Sequence, residues 1–298
     1  MMPLVLVAPS FGGGRRRNNR PRTAAGTPAP NNSRNEYDSR IRRYVSQYLG
    51  PTAQDVMQSY IAGATVDEVA AILDRLQVET ADKLTEIALK DLQVWFFDID
   101  GYNKKRFEES IRRALGVDAK SILAPMLATE TRQAVIAENM ALIRSMPREY
   151  YGDVMKAIIA DYRGDGFPDG SKSLAGRIQN IGNITKERAS FIARDQTAKL
   201  NSILAEARQT DAGVTHYVWR TSGDRRVVGA PGGPWKPSKL HGNHYERDGK
   251  VFSWKKPPVD GPPGQAIGCR CFAAPILNPA ELRMVDLTTG TARYRETG

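Results

Sequence analysis

Residues 189–219 read ASFIARDQTAKLNSILAEARQTDAGVTHYVW, and the rhythm of their apolar residues changes partway along. Ala189, Ile192, Ala193, Leu200, Ile203, Leu204 and Ala207 recur at helical spacing, which predicts a helix beginning near Thr185 with one apolar face. Thr215 to Trp219 is instead β-branched and aromatic, the composition of a strand. The chain therefore divides at about residue 210, with helices before this point and strands after it.

Upstream, Thr65-Val66-Asp67-Glu68 has capping-box spacing, and Val66, Val69, Ile72, Leu73 and Leu76 follow it as an amphipathic stripe. A second stripe runs through Leu84, Ile87, Ala88 and Leu92. A third face holds Phe107, Ile111, Ala114 and Leu115, with Gly116 placed to end that helix. Tyr151, Val154, Met155, Ile158, Ile159 and Tyr162 form another stripe before the break at Gly164 to Gly170. Downstream, Lys250 to Trp254 alternates with period two, and Gly229 to Pro234 and Pro257 to Gly264 punctuate the chain as long loops. Helices first and strands last predict an α+β fold, a mainly helical region followed by a small strand-and-loop domain. The expected divisions are a disordered Arg/Gly/Pro-rich tail at 1–35, a helical region at 36–184, the strand-bearing domain at 185–277 and a polar tail at 278–298. A short helix near Ala280 to Val285 is expected in that last tail.

The net charge of +10 is concentrated at the N-terminus: residues 1–43 hold nine arginines against Glu36 and Asp38. Arg15, Arg16, Arg17, Arg20 and Arg22 make a cationic arm suited to packaged DNA or another polyanion, because phosphate neutralisation releases counterions. A solubilising tail is the other reading of the same run. No apolar stretch is long enough to cross a membrane, and Met1 to Pro9 lacks the basic flank and cleavage site of a signal peptide, so a soluble protein made in the cytoplasm is expected.

All three histidines (His216, His241, His244), both cysteines (Cys269, Cys271) and three of the four tryptophans (Trp219, Trp235, Trp254) fall within residues 216–271. His241-x2-His244 and Cys269-x-Cys271 supply two imidazoles and two thiols, a set suited to structural zinc in a small domain with little core of its own. His216 can replace either histidine in that set. In the alternative reading the cysteines are small buried residues and the histidines belong to polar loops.

Ile192-Ala193-Arg194-Asp195-Gln196-Thr197 is followed by Trp219-Arg220-Thr221, Asp224-Arg225-Arg226-Val227, His241 to Phe252 (HGNHYERDGKVF), Pro262-Pro263-Gly264 and Gly268-Cys269-Arg270-Cys271. In this order the elements resemble the Mu F-like minor head protein family of tailed bacteriophages, which includes the SPP1 gp7-like head morphogenesis proteins. The resemblance covers about residues 188–277. It carries over onto Arg194, Asp195, Trp219, Asp224, Arg226, His244, Gly249, Cys269, Arg270 and Cys271 as structural motif residues. The stretch from Asp224 to His244 is longer than the family pattern, and Gly268 stands where that pattern often has Asn.

The resemblance implies a virion head protein near the portal vertex. Its partners would be the portal, other head proteins and packaged DNA, and its roles procapsid assembly and DNA packaging or ejection. Arg194 and Asp195 are expected to form a hub toward the strand region through Asp224 or Arg226. Two other classes remain open: a zinc-dependent hydrolase or nuclease with Glu246 or Asp248 as base, and a DNA-binding protein using the basic tail. No HExxH, Ser–His–Asp or phosphate-loop motif supports the enzyme, so a non-enzyme is expected.

Overall fold

The computed structural model describes residues 21–116 and 127–278. In chain order the elements are β1 (Arg22–Thr23), α1 (Asn31–Tyr44), a π-helical turn (Val45–Leu49), α2 (Gly50–Ile61), α3 (Val66–Leu115), α4 (Thr129–Arg163), α5 (Leu174–Asp211), β2 (His216–Arg220), α6 (His244–Arg247), β3 (Val251–Ser253) and β4 (Phe272–Leu277). A long helical region followed by a small antiparallel sheet is the α+β architecture expected from the sequence.

The capping box forms at the start of α3, where Glu68 N–H donates to Thr65 Oγ1 (3.2 Å) and Thr65 N–H donates to Glu68 Oε2 (2.8 Å). That pairing satisfies donors the first turn would otherwise leave open. The stripes beginning at Val66, Leu84 and Phe107 fall on this one continuous helix of 50 residues. It stops where Gly116 takes φ +68°, a left-handed conformation glycine reaches without Cβ strain. Helix α5 begins at Leu174, eleven residues before the expected start at Thr185; Leu174, Ile178 and Ile181 extend its buried face backwards.

The chain forms two compact units. Among the described residues, one comprises 31–96 and 129–196, the other 21–30, 97–116, 127–128 and 197–278. In the first, helical unit, Tyr37, Ile41, Leu49, Leu84, Leu92, Trp95, Phe96, Ile143, Tyr150, Val154 and Ile158 are buried. Polar groups enclosed with them are paired, as burial demands. Tyr37 Oη–H donates to Asn139 Oδ1 (2.9 Å), and Asn139 Nδ2–H donates to Gln196 Oε1 (3.1 Å).

The second unit holds the sheet, of order β1-β4-β2-β3 with every pairing antiparallel. Its register sets Tyr217 opposite Phe252 and Trp219 opposite Ala273. One apolar cluster joins Ala24, Phe107, Ile111, Ala212, Val214 and Leu277; another joins Tyr217, Trp219, Trp254, Cys269, Cys271 and Ala273. Arg208 is enclosed, with its guanidinium donating to Asn103 Oδ1 (2.7 Å) and Asp100 Oδ1 (2.5 Å).

The expected tail boundary at residue 35 is corrected. Arg22 and Thr23 pair with Leu277 and Ile276, and Asn31 already begins α1. The segment between is fastened too: Ala24 N–H donates to Pro275 O (2.9 Å), Ser110 Oγ–H to Ala25 O (2.7 Å) and Asn201 Nδ2–H to Thr27 O (2.8 Å). Its small residues make this approach possible, since a Cβ on Gly26 would lie 2.6 Å from the Phe272 ring. Arg15, Arg16, Arg17 and Arg20, and the helix expected near Ala280 to Val285, lie outside the described residues.

Candidate metal centre

Helix α6 is a single turn begun by Asn243, whose Oδ1 accepts from Glu246 N–H (3.2 Å). This cap places His244 at the first helical position, buried, with its ring edge-on to Trp219 of β2 (centroids 5.2 Å apart). Cys269 and Cys271 flank Arg270 immediately before β4 and are buried as well. His244 Nδ1 lies 3.5 Å from Cys269 Sγ and 3.7 Å from Cys271 Sγ. The three donor atoms all fall within 4.8 Å of one another, a cluster that could hold a metal ion. Around a tetrahedral zinc with ordinary Zn–S and Zn–N bonds, N and S donors stand about 3.5 Å apart, so the spacing fits such an ion.

The other imidazole nitrogen is also committed. His244 Nε2 stands 2.8 Å from Asp260 Oδ2, and each of these side chains is only 3% exposed. Asp260 further accepts from Gly242 N–H (3.1 Å) and from Arg247 (2.7 Å to Oδ1, 3.0 Å to Oδ2). The Arg247 guanidinium in turn lies over the Trp219 ring, 4.9 Å from its centroid.

Charge in the cluster is shared. Hydrogen bonding from Cys271 holds Cys269 well below the usual thiol range against the opposing effect of burial, and His244 lowers it further. The same bond to Cys269, with burial, pushes the Cys271 thiol up. Burial pulls His244 down, but Cys269 and Asp260 outweigh it and raise its pKa. Burial pushes Asp260 up, yet hydrogen bonds from His244 and Arg247 hold it below the ordinary carboxylate value. Trp219 Nε1–H is buried beside the Cys271 sulfur and favours its anionic form.

The expected ligand set is corrected at His241. That residue is exposed, its N–H donating to Ser238 Oγ (2.9 Å) in the turn before α6, and lies outside the helical turn that carries His244. His216 is exposed at the start of β2, with Nδ1 2.9 Å from Thr215 Oγ1. Neither belongs to the cluster. Asp260 was not anticipated, because no spacing rule links a loop aspartate to a histidine sixteen residues earlier.

The remaining motif residues hold loops and strands. Arg270 grips Asp224 with two nitrogens, Nη2 at 2.5 Å from Oδ1 and Nη1 on Oδ2. Asp224 Oδ1 also accepts from Arg226 N–H (2.8 Å), while the Arg226 side chain is exposed. These bonds, Arg270 foremost, lower the Asp224 pKa to about 2. Asp195 is buried and accepts from Gln196 Nε2–H (3.3 Å), and Arg194 lies over the Phe191 ring, 5.4 Å from its centroid. Gly249 takes φ +76° and donates to Trp219 O (2.9 Å), turning the chain from α6 into β3.

Glu246 and Asp248, the expected bases of an enzyme reading, are exposed; Asp248 Oδ1 accepts from Thr221 N–H (2.8 Å). Arg22, assigned to the cationic arm, sits in β1 and donates to Ala114 O (3.0 Å).

Among curated proteins, the chain is similar to an uncharacterized protein of Haemophilus influenzae (strain ATCC 51907 / DSM 11121 / KW20 / Rd), 34% identical over 186 residues. The match takes in 61% of this chain and spans 38% of that protein's length. No family model matches the chain, and no solved structure matches it.

Proposed function

We propose that the chain is a minor head protein of a tailed bacteriophage, a structural rather than enzymatic component associated with the portal vertex and other head proteins. It acts there in procapsid assembly and in DNA packaging or ejection. The observation that carries this reading is the use made of its motif residues. Trp219, Asp224, His244, Gly249, Cys269, Arg270 and Cys271 cross-link strands and loops of one unit, in ion pairs, turns and a thiol–imidazole cluster. Residues spent on cross-linking suit a part that must keep its shape under assembly forces.

The His/Cys cluster takes zinc as a staple of this unit. His244, Cys269 and Cys271 supply three buried ligands, and the fourth tetrahedral position is filled from outside this cluster. The basic residues before Arg22 contact packaged DNA through their charge, with the salt dependence that counterion release imposes.

Fractionation of a phage lysate tests the proposal. A tagged copy of the chain co-sediments with heads and procapsids through a density gradient; recovery only in the soluble fraction overturns the structural assignment.

A further inference from the structure

We infer that Asp260 is the positioning residue of the metal centre, locking His244 so that Nδ1, and not the commoner-facing Nε2, completes the thiolate pair. This rests on the zinc reading above and deepens it. An imidazole can turn either nitrogen toward a metal, and which one binds is set by what the other nitrogen touches. Here Nε2 is engaged by a carboxylate at 2.8 Å, which fixes its hydrogen as the donated one and leaves the Nδ1 lone pair facing both sulfurs.

The carboxylate is itself immobilised. Gly242 N–H and both contacts from Arg247 hold it from the loop and from α6, and Arg247 is held over the Trp219 ring. Each link belongs to a different segment: the Pro-rich loop that contains Asp260, the helical turn with His244 and Arg247, strand β2 with Trp219, and the Cys-Arg-Cys segment. Loading the metal therefore ties four segments together through one aspartate.

Such outer partners are worth about 10–100-fold in metal affinity. The first test needs no variant. The chain has three histidines, so the imidazole ¹⁵N spectrum of the zinc-loaded full-length protein can be resolved residue by residue. Nδ1 metallated and Nε2 protonated at His244 is the expected result; a metallated Nε2 overturns the inference.

The second test is a competition titration of zinc against a chromophoric chelator. Asp260→Asn weakens binding by about 10–100-fold, whereas in a His244→Ala background the same change has no further effect, because Asp260 acts through His244. An equal loss in both backgrounds marks a merely structural role and overturns the inference. If wild type binds zinc and Asp260→Asn binds it equally well, the positioning role fails while the zinc reading stands. Wild type that binds no zinc removes both.

Discussion

Replacing Asp224 with asparagine keeps the shape of the side chain and removes the charge that Arg270 grips. A carboxyl held at about 2 instead of 3.8 corresponds to about 2.4 kcal/mol at 1.36 kcal/mol per unit of pH. Asp224 is 39% exposed, however, and solvent screening reduces the stabilisation to ~1 kcal/mol. Because its pKa is lowered by folding, the contribution is complete above the unfolded value of 3.8 and fades as pH falls toward about 2.

Urea unfolding followed by tryptophan fluorescence reads this unit well, since Trp219, Trp235 and Trp254 belong to it and only Trp95 lies in the helical unit. Wild type should exceed Asp224→Asn by ~1 kcal/mol near neutral pH, with a gap that closes at about pH 2–3. In an Arg270→Met background the substitution should do almost nothing. A gap that is constant across this range, or one that survives loss of Arg270, refutes the reasoning.

Prolonged chelation under reducing conditions should lower the thermal midpoint reported by the same tryptophans. Zn²⁺ should restore it where Mg²⁺ does not, since thiolates select soft ions; an unchanged midpoint counts against a bound metal. Zinc affinity should fall with falling pH as protons compete for His244 and the two sulfurs, which a titration series will show or deny. Gly264→Ala should cost about 2 kcal/mol or more, because its φ is +98° and the new Cβ would meet Ala198 O at 3.2 Å and Cys271 O at 3.3 Å; a neutral result in urea would mean the loop relaxes freely. Leu277→Ala empties a fully buried site in the Phe107–Ile111 cluster and should cost about 2–5 kcal/mol, again checked by the urea midpoint.

Local signals were the legible part of this fold. The Thr65–Glu68 box, the stop at Gly116 and the strand at residues 216–220 depend on neighbours a few residues away, and each appears where its sequence places it. Strand β1 was hidden because two residues carry no period, and their partner Leu277 is far along the chain. Composition misled at Ala24 to Pro30, where small residues serve close packing against Phe272 instead of disorder. Helix α5 starts early because Leu174, Ile178 and Ile181 bury a face that Gly176 and Gly182 obscure in the sequence.

Within the site, the Cys-x-Cys pair and His244 were readable from residue type and order. Spacing alone favoured His241, but a one-turn helix capped by Asn243 turns only His244 inward. Asp260 became visible only through the loop that folds it onto His244.

Co-purification of the tagged chain with its cognate portal, followed by cryo-electron microscopy of the assembly, tests the central claim most directly. The account predicts defined density for this chain at the portal or inner head vertex, with His244, Cys269 and Cys271 converging on a single metal peak. Absence of the chain from portal, procapsid and virion would contradict it.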